Sequence, residues 1–358
     1  MLFYVAFLII SLYFLLNKNN ALLKSNALLK SNKKLGSNYK ISVIIPARNE
    51  EKNIEKILNS VRNQTLKVHE IIVVDDASED NTAKVVEKFQ EVKLIQLEDS
   101  PKQGWNGKSW AIWNGYLNSS GELLLFVDAD VELEREAIET LVEKFNKYKG
   151  LISVWPYQRF EKFHEHFTLV FNLVIIYLSN LIGTFSRKPK GAFGPVILTS
   201  RKDYEFVGGH KAIRDSVLDD IKLGKLYSKS NINVKNFLGG RYIKFRMYPQ
   251  NLRQLYEGFS KNMASGSISG GFFNLIIAIL WTFGIFSALF TFDRYFVYRY
   301  FSVVVFLYLL SKNLGDYKWY DYIFFPIHLL FFAVTFFNSL YRKLFLHSVV
   351  WKGRKINV

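Results

Sequence analysis

Two carboxylates stand two positions apart in Asp128-Ala129-Asp130, directly after the apolar run Leu123-Leu-Leu-Phe-Val127. At the end of a strand, side chains at this spacing can both reach one cation. Mg²⁺ and Mn²⁺ prefer hard oxygen ligands and often share them with substrate phosphates. The triplet therefore predicts a divalent-metal site built on Asp130 and Asp128. Taken alone, an Asp-x-Asp triplet is equally typical of a solvated turn.

Further polar clusters follow earlier apolar runs. Asp76 comes after Glu70-Ile-Ile-Val-Val74, where a carboxylate can accept hydrogen bonds from a nucleobase or ribose, although a helix cap is an alternative. Lys108 belongs to a Gly- and Trp-containing segment that we interpret as a loop with a mobile cation near phosphates, although most such lysines are simply solvated. The other predicted nucleotide contacts follow the first apolar run, at Pro46, Ala47, Arg48 and Glu50.

The elements that must position these residues alternate between strand and helix. Apolar runs predict strands at residues 41–45, 70–74, 93–97 and 123–127, and amphipathic stretches predict helices at 54–61 and 82–89. Strands that are apolar throughout and alternate with helices indicate a mostly parallel sheet covered on both faces. Ligands of such α/β folds bind beyond the carboxyl ends of the strands, which is where the polar clusters lie.

Composition favours a membrane over a nucleic acid as the partner surface. The 358 residues carry a formal net charge of +16, and 16% are aromatic, with 32 phenylalanines. The basic excess gathers beside apolar runs, as polybasic segments do when they face anionic lipid. The chain has no cysteine, which excludes disulfides and thiol chemistry.

Long apolar segments lie at both ends of the chain. Residues 1–16 are uncharged and lack signal-peptide features, and residues 272–292, 295–310 and 322–337 are candidate membrane crossings. The predicted organisation is an anchor at 1–17, a basic linker at 18–40, a catalytic domain at 41–266, transmembrane or re-entrant helices at 270–341 and a basic tail at 342–358. Flanking Lys and Arg predict a multi-pass cell-membrane protein with a cytoplasmic catalytic domain. Three crossings would put the basic tail outside, so either one run is re-entrant or the boundaries differ.

The order of these motifs resembles glycosyltransferase family 2 over about residues 41–266. The resemblance implies a GT-A fold, an inverting transfer from a nucleotide-sugar, and nucleoside contacts by the 46–50 segment and Asp76. It also implies metal binding at Asp128 and Asp130, with Asp130 the more direct ligand. The acidic pair Asp219-Asp220 matches the family's general-base position.

Several further segments look like the carotenoid branch of this family and its hopanoid-associated relatives. They lie at residues 104–110, 191–195, 208–210, 245–248 and 351–354. This likeness implies UDP-glucose as the donor and a carotenoid or other isoprenoid as the acceptor, with a carboxylate or a hydroxyl as the attacking group. His210 and Arg246 are candidate contacts to the acceptor or a phosphate, although both are equally compatible with structural or solvated roles. Transfer to a polyprenyl phosphate or hopanoid, and a nucleotide-binding membrane scaffold, are the alternatives.

Overall fold

The structure is a computed structural model that describes residues 2–17, 39–98, 101–178, 189, 191–216, 218–240, 242–269, 271–346, 348–351 and 354–357. The predicted basic linker lies almost wholly outside these residues, and the predicted tail lies partly outside them. The chain forms two compact units. One comprises residues 1–21, 158–190 and 247–358, and the other comprises residues 22–157 and 191–246. The predicted catalytic domain thus takes in parts of both units.

The strands are, in chain order, β1 (Ile41–Ala47), β2 (Glu70–Asp75), β3 (Val92–Gln96), β4 (Leu123–Val127), β5 (Val131–Leu133), β6 (Leu151–Trp155), β7 (Tyr157–Gln158), β8 (Val196–Ser200), β9 (Val234–Leu238), β10 (Ile243–Phe245), β11 (Ser348–Trp351) and β12 (Arg354–Asn357).

The α-helices are α1 (Leu2–Asn17), α2 (Ile54–Arg62), α3 (Thr82–Val86), α4 (Gly107–Leu117), α5 (Ala137–Tyr148), α6 (Leu169–Leu173), α7 (Arg201–Phe206), α8 (Asp219–Lys229), α9 (Leu252–Ser269), α10 (Phe272–Phe290), α11 (Phe296–Ser311), α12 (Trp319–Ile323) and α13 (Phe325–Tyr341). Short 3-10 helices span Phe163–Thr168 and Gly209–Ile213, and π-helical turns span Val174–Leu178 and Arg342–Leu346.

The first unit is a bundle of apolar helices. In it the N-terminal helix α1 packs against α10, where the Trp281 indole donates a hydrogen bond to the Ser11 hydroxyl at 3.0 Å. The Tyr4 and Ser302 hydroxyls join α1 to α11 at 2.7 Å. Hydrogen bonds of this kind fix the register of helices whose apolar surfaces would otherwise slide.

Two helical segments of the described chain, Phe272–Phe290 and Phe325–Leu346, are long and apolar enough to cross a membrane. The predicted segment at 295–310 is helical as α11 but only 16 residues long, and α1 is also 16 residues long. The apolar run that begins near residue 163 belongs to this same unit and not to the unit that holds the sheet.

The second unit is built on a seven-stranded sheet with the order β3-β2-β1-β4-β8-β6-β9. The predicted mostly parallel sheet is confirmed, since β1 is parallel to β2 and β4, β2 to β3, and β6 to β9. Strand β8 departs from this pattern because it runs antiparallel to both β4 and β6. The predicted helix at 82–89 is shorter than expected and ends at Val86.

One face of the sheet is covered by α4, α7 and α8. The core on this face joins side chains of five strands to those of the three helices, and its members include Ile44, Ile112, Leu124, Phe126, Leu151, Ile197, Tyr204, Leu223, Tyr227 and Val234. Helix α5 packs against β6 and β8 through its apolar stripe. Burial of both faces explains why most strands of this sheet are rich in apolar residues.

A buried polar pair anchors the loop at residues 191–195, which leads into β8. Ser153 of β6 and Asn236 of β9 are opposite each other in register, and the Ser153 hydroxyl donates to Asn236 Oδ1 at 2.6 Å. The same hydroxyl accepts the Phe193 backbone N–H at 2.9 Å, and Asn236 Nδ2 donates to the Gly191 carbonyl at 2.8 Å. The loop therefore has a fixed position over the sheet face.

Helix α8 packs directly on this loop because Gly224 has no side chain. A Cβ added at Gly224 would lie 2.5 Å from the Ala192 backbone nitrogen, which is closer than any real contact. The loop is also tied to β4, since the Asp128 backbone N–H donates to the Pro195 carbonyl at 2.9 Å. The start of α8 and the end of β4 are thus held on the same loop.

We expect Gly224→Ala to destabilise the protein by about 1–3 kcal/mol, because overpacking must push α8 away from the loop backbone. The measurement is the free energy of unfolding. Lys229→Ala, an exposed change on the same helix, serves as the control and is expected to stay within about 0.5 kcal/mol. Wild-type stability of Gly224→Ala would contradict the packing described above.

Candidate active site

The polar clusters singled out in the sequence lie at one edge of the seven-stranded sheet. Strands β1, β2 and β4 are parallel, so the residues after Ala47, Asp75 and Val127 leave the sheet on the same side. The loop at 191–195 enters antiparallel β8 at this edge, opposite the end of β4. The structure therefore brings together the predicted residues that follow β1, β2 and β4.

Arg48 and Asp76 are joined by a backbone contact. The Arg48 guanidinium donates to the carbonyl oxygens of Asp76 at 2.7 Å and Ala77 at 3.1 Å. The Asp76 N–H in turn donates to the Ala47 carbonyl at 2.8 Å. Ala77 has a φ of 53°, a left-handed conformation that is unfavourable for alanine and needs such support. Arg48 thus shapes the loop that presents Asp76, and its contact with a nucleotide stays a prediction.

Pro46 and Glu50 take up positions beside this loop. Pro46 is in register with Val74 of β2. The Glu50 backbone N–H donates to Thr82 Oγ1 at 2.8 Å, and its carboxylate accepts from Asn53 Nδ2 at 2.8 Å. The segment after β1 is therefore fastened to the start of α3.

Lys108 lies in a helix and not in the loop that the sequence predicted. It is the second residue of α4, where the Asn106 side chain caps the helix by accepting the Lys108 N–H at 3.2 Å. The glycine- and tryptophan-rich composition hid this helix start. The Lys108 ammonium forms an ion pair with Asp128 Oδ1 at 2.5 Å. The Lys108 side chain, which the sequence predicted to be mobile, is therefore held in place by its ion pair with Asp128.

The charges at this edge act on each other. Burial opposes the charge on Lys108, but Asp128, Asp219 and Asp220 outweigh it and raise the pKa of Lys108. Burial raises the pKa of Asp128, and Lys108 offsets part of that rise. Lys108 is therefore a cation at neutral pH, held among three acidic side chains.

Asp130 lies next to Arg246 through paired backbone. Strand β5 pairs with β10, with Val131 opposite Phe245, and the Arg246 N–H donates to the Asp130 carbonyl at 3.4 Å. The half-buried Arg246 is thus held beside Asp130 by a segment more than a hundred residues away in sequence. Its contact with a phosphate or an acceptor stays a prediction.

Asp219 and Asp220 form the first turn of α8. Asp219 is buried, with 7% of its surface exposed. Asp220 lies against Gly194, where an added Cβ would meet its Oδ2 at 2.9 Å. Burial first, and then the charge of Asp219, raise the pKa of Asp220 to about 7. A carboxyl that titrates near neutral pH is suited to exchange protons with a substrate.

The loop anchors identified in the fold also belong to this site, although the sequence analysis did not single them out. Ser153 and Asn236 hold the backbone that Asp220 touches, and Asn106 donates to the Ser216 carbonyl at 3.0 Å, just before α8. For Ser153 and Asn236, the available signal in the sequence was a polar residue close to apolar residues. Its meaning depends on partners far away in the sequence.

His210 is in the core of this unit. Its Nδ1 hydrogen-bonds with the Tyr204 hydroxyl at 2.8 Å, and its backbone N–H donates to the same oxygen at 3.0 Å. Burial lowers the pKa of His210 to about 4, so the ring is neutral at pH 7. These contacts favour a structural role, and the predicted contact with acceptor or phosphate remains untested.

The pair Asp128 and Asp130 fits a divalent ion only if a ligand completes the coordination. Within the described ranges no group of three His, Cys, Asp or Glu side chains is arranged to hold a metal. Mg²⁺ commonly takes one or two carboxylates and fills its remaining positions with substrate phosphates and water. Two half-exposed carboxylates at the edge where the residues after β1 and β2 also gather match that chemistry.

Comparison with known proteins agrees with this geometry. The profile of the glycosyl transferase family 2 matches residues 42–222. The chain is 33% identical over 336 residues to 4,4'-diaponeurosporenoate glycosyltransferase of Staphylococcus aureus strain USA300, covering 89% of this chain and 88% of that enzyme.

Among solved structures, the chain is similar to a mannosyltransferase from Pyrobaculum calidifontis in complex with GDP-Man and Mn²⁺. The TM-score is 0.50 at 17% identity, covering 94% of this chain and 99% of that one. The likeness supports the same GT-A fold, with its mixed sheet and flanking helices. This chain therefore belongs to glycosyl transferase family 2 and is a glycosyltransferase.

Proposed function

We propose that this enzyme transfers glucose from UDP-glucose to the carboxylate of an apocarotenoid at a membrane. The observation that carries the proposal is the 33% identity, over 89% of the chain, to an enzyme named for 4,4'-diaponeurosporenoate, a polyene acid. UDP-glucose is the donor that the resemblance to the carotenoid branch implies. The helices of the first unit support an apolar acceptor, since two of them have the length and composition to cross a membrane.

The donor lies along the sheet edge in this proposal. Asp76, held by Arg48, binds the nucleoside, and Lys108 binds the diphosphate with its permanent charge. Asp128 and Asp130 hold Mg²⁺ or Mn²⁺. Such an ion, when bound, neutralises charge on the departing diphosphate. The residues that face the nucleoside and the diphosphate are thus separate, which allows donor affinity and reactivity to be altered independently.

The reaction is a single in-line displacement at the anomeric carbon. An acceptor carboxylate oxygen forms a bond to that carbon while the bond to the diphosphate oxygen breaks, and UDP leaves with the electron pair. The product is a glucosyl ester with inverted configuration. A carboxylic acid with a pKa of about 4–5 is already ionised at neutral pH, so no base is needed.

Asp220 has a different task with each class of acceptor. A hydroxyl acceptor must lose a proton, and ionised Asp220 would take it. A carboxylate acceptor has no proton to lose, and ionised Asp220 would repel it. Protonated Asp220 removes that repulsion and can donate a hydrogen bond. With a pKa of about 7, Asp220 can act as a base for a hydroxyl acceptor or, when protonated, as a hydrogen-bond donor to a carboxylate acceptor.

We propose a multi-pass protein of the cell membrane with a cytoplasmic catalytic unit. The basic residues that flank the apolar segments support this orientation. The acceptor is then delivered from the lipid phase, while UDP-glucose comes from the cytoplasm.

Incubation of purified protein with UDP-glucose, Mn²⁺ and 4,4'-diaponeurosporenoate in detergent tests the function directly. UDP release that depends on the polyene acid is expected. UDP release that occurs only with a polyprenyl phosphate or a hopanoid would show that the acceptor belongs to that class and is not an apocarotenoid. No release with any of these acceptors would contradict the proposal.

The pH dependence separates the two roles of Asp220. With the polyene acid as acceptor, kcat should not rise through pH 7, because ionised Asp220 is not needed. With the corresponding alcohol, kcat should rise as pH passes about 7 and Asp220 loses its proton.

Asp220→Asn should then lower transfer to the alcohol by about 10²–10⁴-fold and leave donor KM nearly unchanged. Transfer to the acid should fall by less than about tenfold. Equal losses with the two acceptors would refute a base role for Asp220.

Asp130→Ala should reduce metal-dependent turnover by at least about a hundredfold, because a lost ligand removes several kcal/mol of charge stabilisation. Binding of Mn²⁺ in the presence of UDP, followed by electron paramagnetic resonance, should weaken in parallel. Glu136→Gln, an exposed carboxylate further along the chain, is the control. Unchanged Mn²⁺ binding in Asp130→Ala would show that the ion is held elsewhere.

A further inference from the structure

Trp155 carries a buried hydrogen-bond donor that the fold does not use. It is the last residue of β6 and has 8% of its surface exposed. Among the residues that the structure describes, none accepts a hydrogen bond from its indole Nε1–H. An unpaired buried N–H is unfavourable, and such groups in native proteins call for an explanation.

The position of Trp155 is at the edge that holds the other site residues. Val127 of β4 is opposite Val196 of β8, and Val196 is opposite Val154 of β6. One residue further on, the Asp128 N–H bonds to the Pro195 carbonyl, so Asp128, Pro195 and Trp155 share one level of the sheet. Trp155 is therefore two strand spacings, or about 10 Å, from Asp128.

The surroundings of Trp155 are aromatic on two sides. Its ring lies 5.5 Å from that of Phe193 and 5.5 Å from that of Phe245, measured between centroids. Phe193 precedes Gly194, which touches Asp220, and Phe245 precedes Arg246, which bonds to Asp130. Trp155 thus stands between the chain segments that carry the base and the metal ligand.

The order of strands arranges the substrates in a row. Nucleoside contacts follow β2 and β1, diphosphate contacts follow β4, and Asp220 lies against the loop before β8. Strand β6 is next along this edge. A donor that extends from β2 to β4 leaves the β6 position to whatever receives the sugar.

We propose that Trp155 binds the acceptor, with its indole N–H donating to a carboxylate oxygen and Phe193 and Phe245 packing against the adjoining hydrocarbon. This inference rests on the proposed function and names a subsite for it. Indole is a donor only, so it selects an oxygen that accepts. It is also uncharged, so it stabilises an anion near Asp219 and Asp220 without forming an ion pair with either of them.

The test compares wild type with Trp155→Phe, which keeps an aromatic ring and removes the N–H. The probe is 4,4'-diaponeurosporenoate in detergent micelles, with its alcohol analogue as the second ligand. Equilibrium binding is measured in the absence of donor, and KM values for acceptor and UDP-glucose are measured separately. The control is Trp113→Phe, a partly buried tryptophan of α4 that packs on Tyr116.

Trp155→Phe should weaken binding of the acid about ten- to a hundredfold, as expected for a lost hydrogen bond to a charged group. The alcohol should be affected less, and KM for UDP-glucose should stay the same. Trp113→Phe should bind the acid like wild type, and both variants should unfold at temperatures near that of wild type.

Equal affinity of wild type and Trp155→Phe for the acid would overturn the inference, as would absence of binding to wild type. Weaker binding of the acid together with a raised KM for UDP-glucose would show that Trp155 only packs in the fold. That result would also overturn the inference. Because binding is measured without donor, wild type that binds the acid but does not glucosylate it refutes the proposed function and not the subsite.

Discussion

The site depends on the hydrogen bond from the Asp128 N–H to the Pro195 carbonyl, which joins the end of β4 to the loop before β8. On one side of this bond is the pair Asp128 and Asp130. On the other side is the loop on which Asp220 rests. The spacing between Asp128 and the loop on which Asp220 rests is therefore set by adjacent strands of a sheet, which is among the stiffest spacings that a protein offers.

The antiparallel direction of β8 is what makes this junction possible. If β8 ran parallel to β4, the loop before it would lie at the opposite edge of the sheet. Because β8 runs in the reverse direction, residues 191–195 lie at the edge of the sheet where β4 ends. Ser153 and Asn236 then fix the loop from below, and the missing side chain of Gly224 lets α8 approach it from above.

The sequence predicted the first half of the sheet well and the second half poorly, for a physical reason. Strand β4 is an uninterrupted apolar run and β1 and β2 consist mainly of apolar residues, so their burial is visible in composition. Strand β9 contains Lys235 and Asn236, and the Asn236 side chain is satisfied by tertiary contacts with Ser153 and the Gly191 carbonyl. The same limit explains Lys108, whose helix start is capped by Asn106 in a segment that reads as a loop. Motif order predicts roles for the carboxylates, whereas the unpaired indole N–H of Trp155 is visible only in three dimensions.

The most direct measurement is mass spectrometry of lipids from cells that express the wild-type chain or the Asp130→Ala variant. We expect a polyene acid esterified to one hexose in cells with the wild-type chain, and the free acid in cells with the variant. The same hexosyl ester in both, or a hexose found only on a prenyl phosphate or hopanoid, would contradict it.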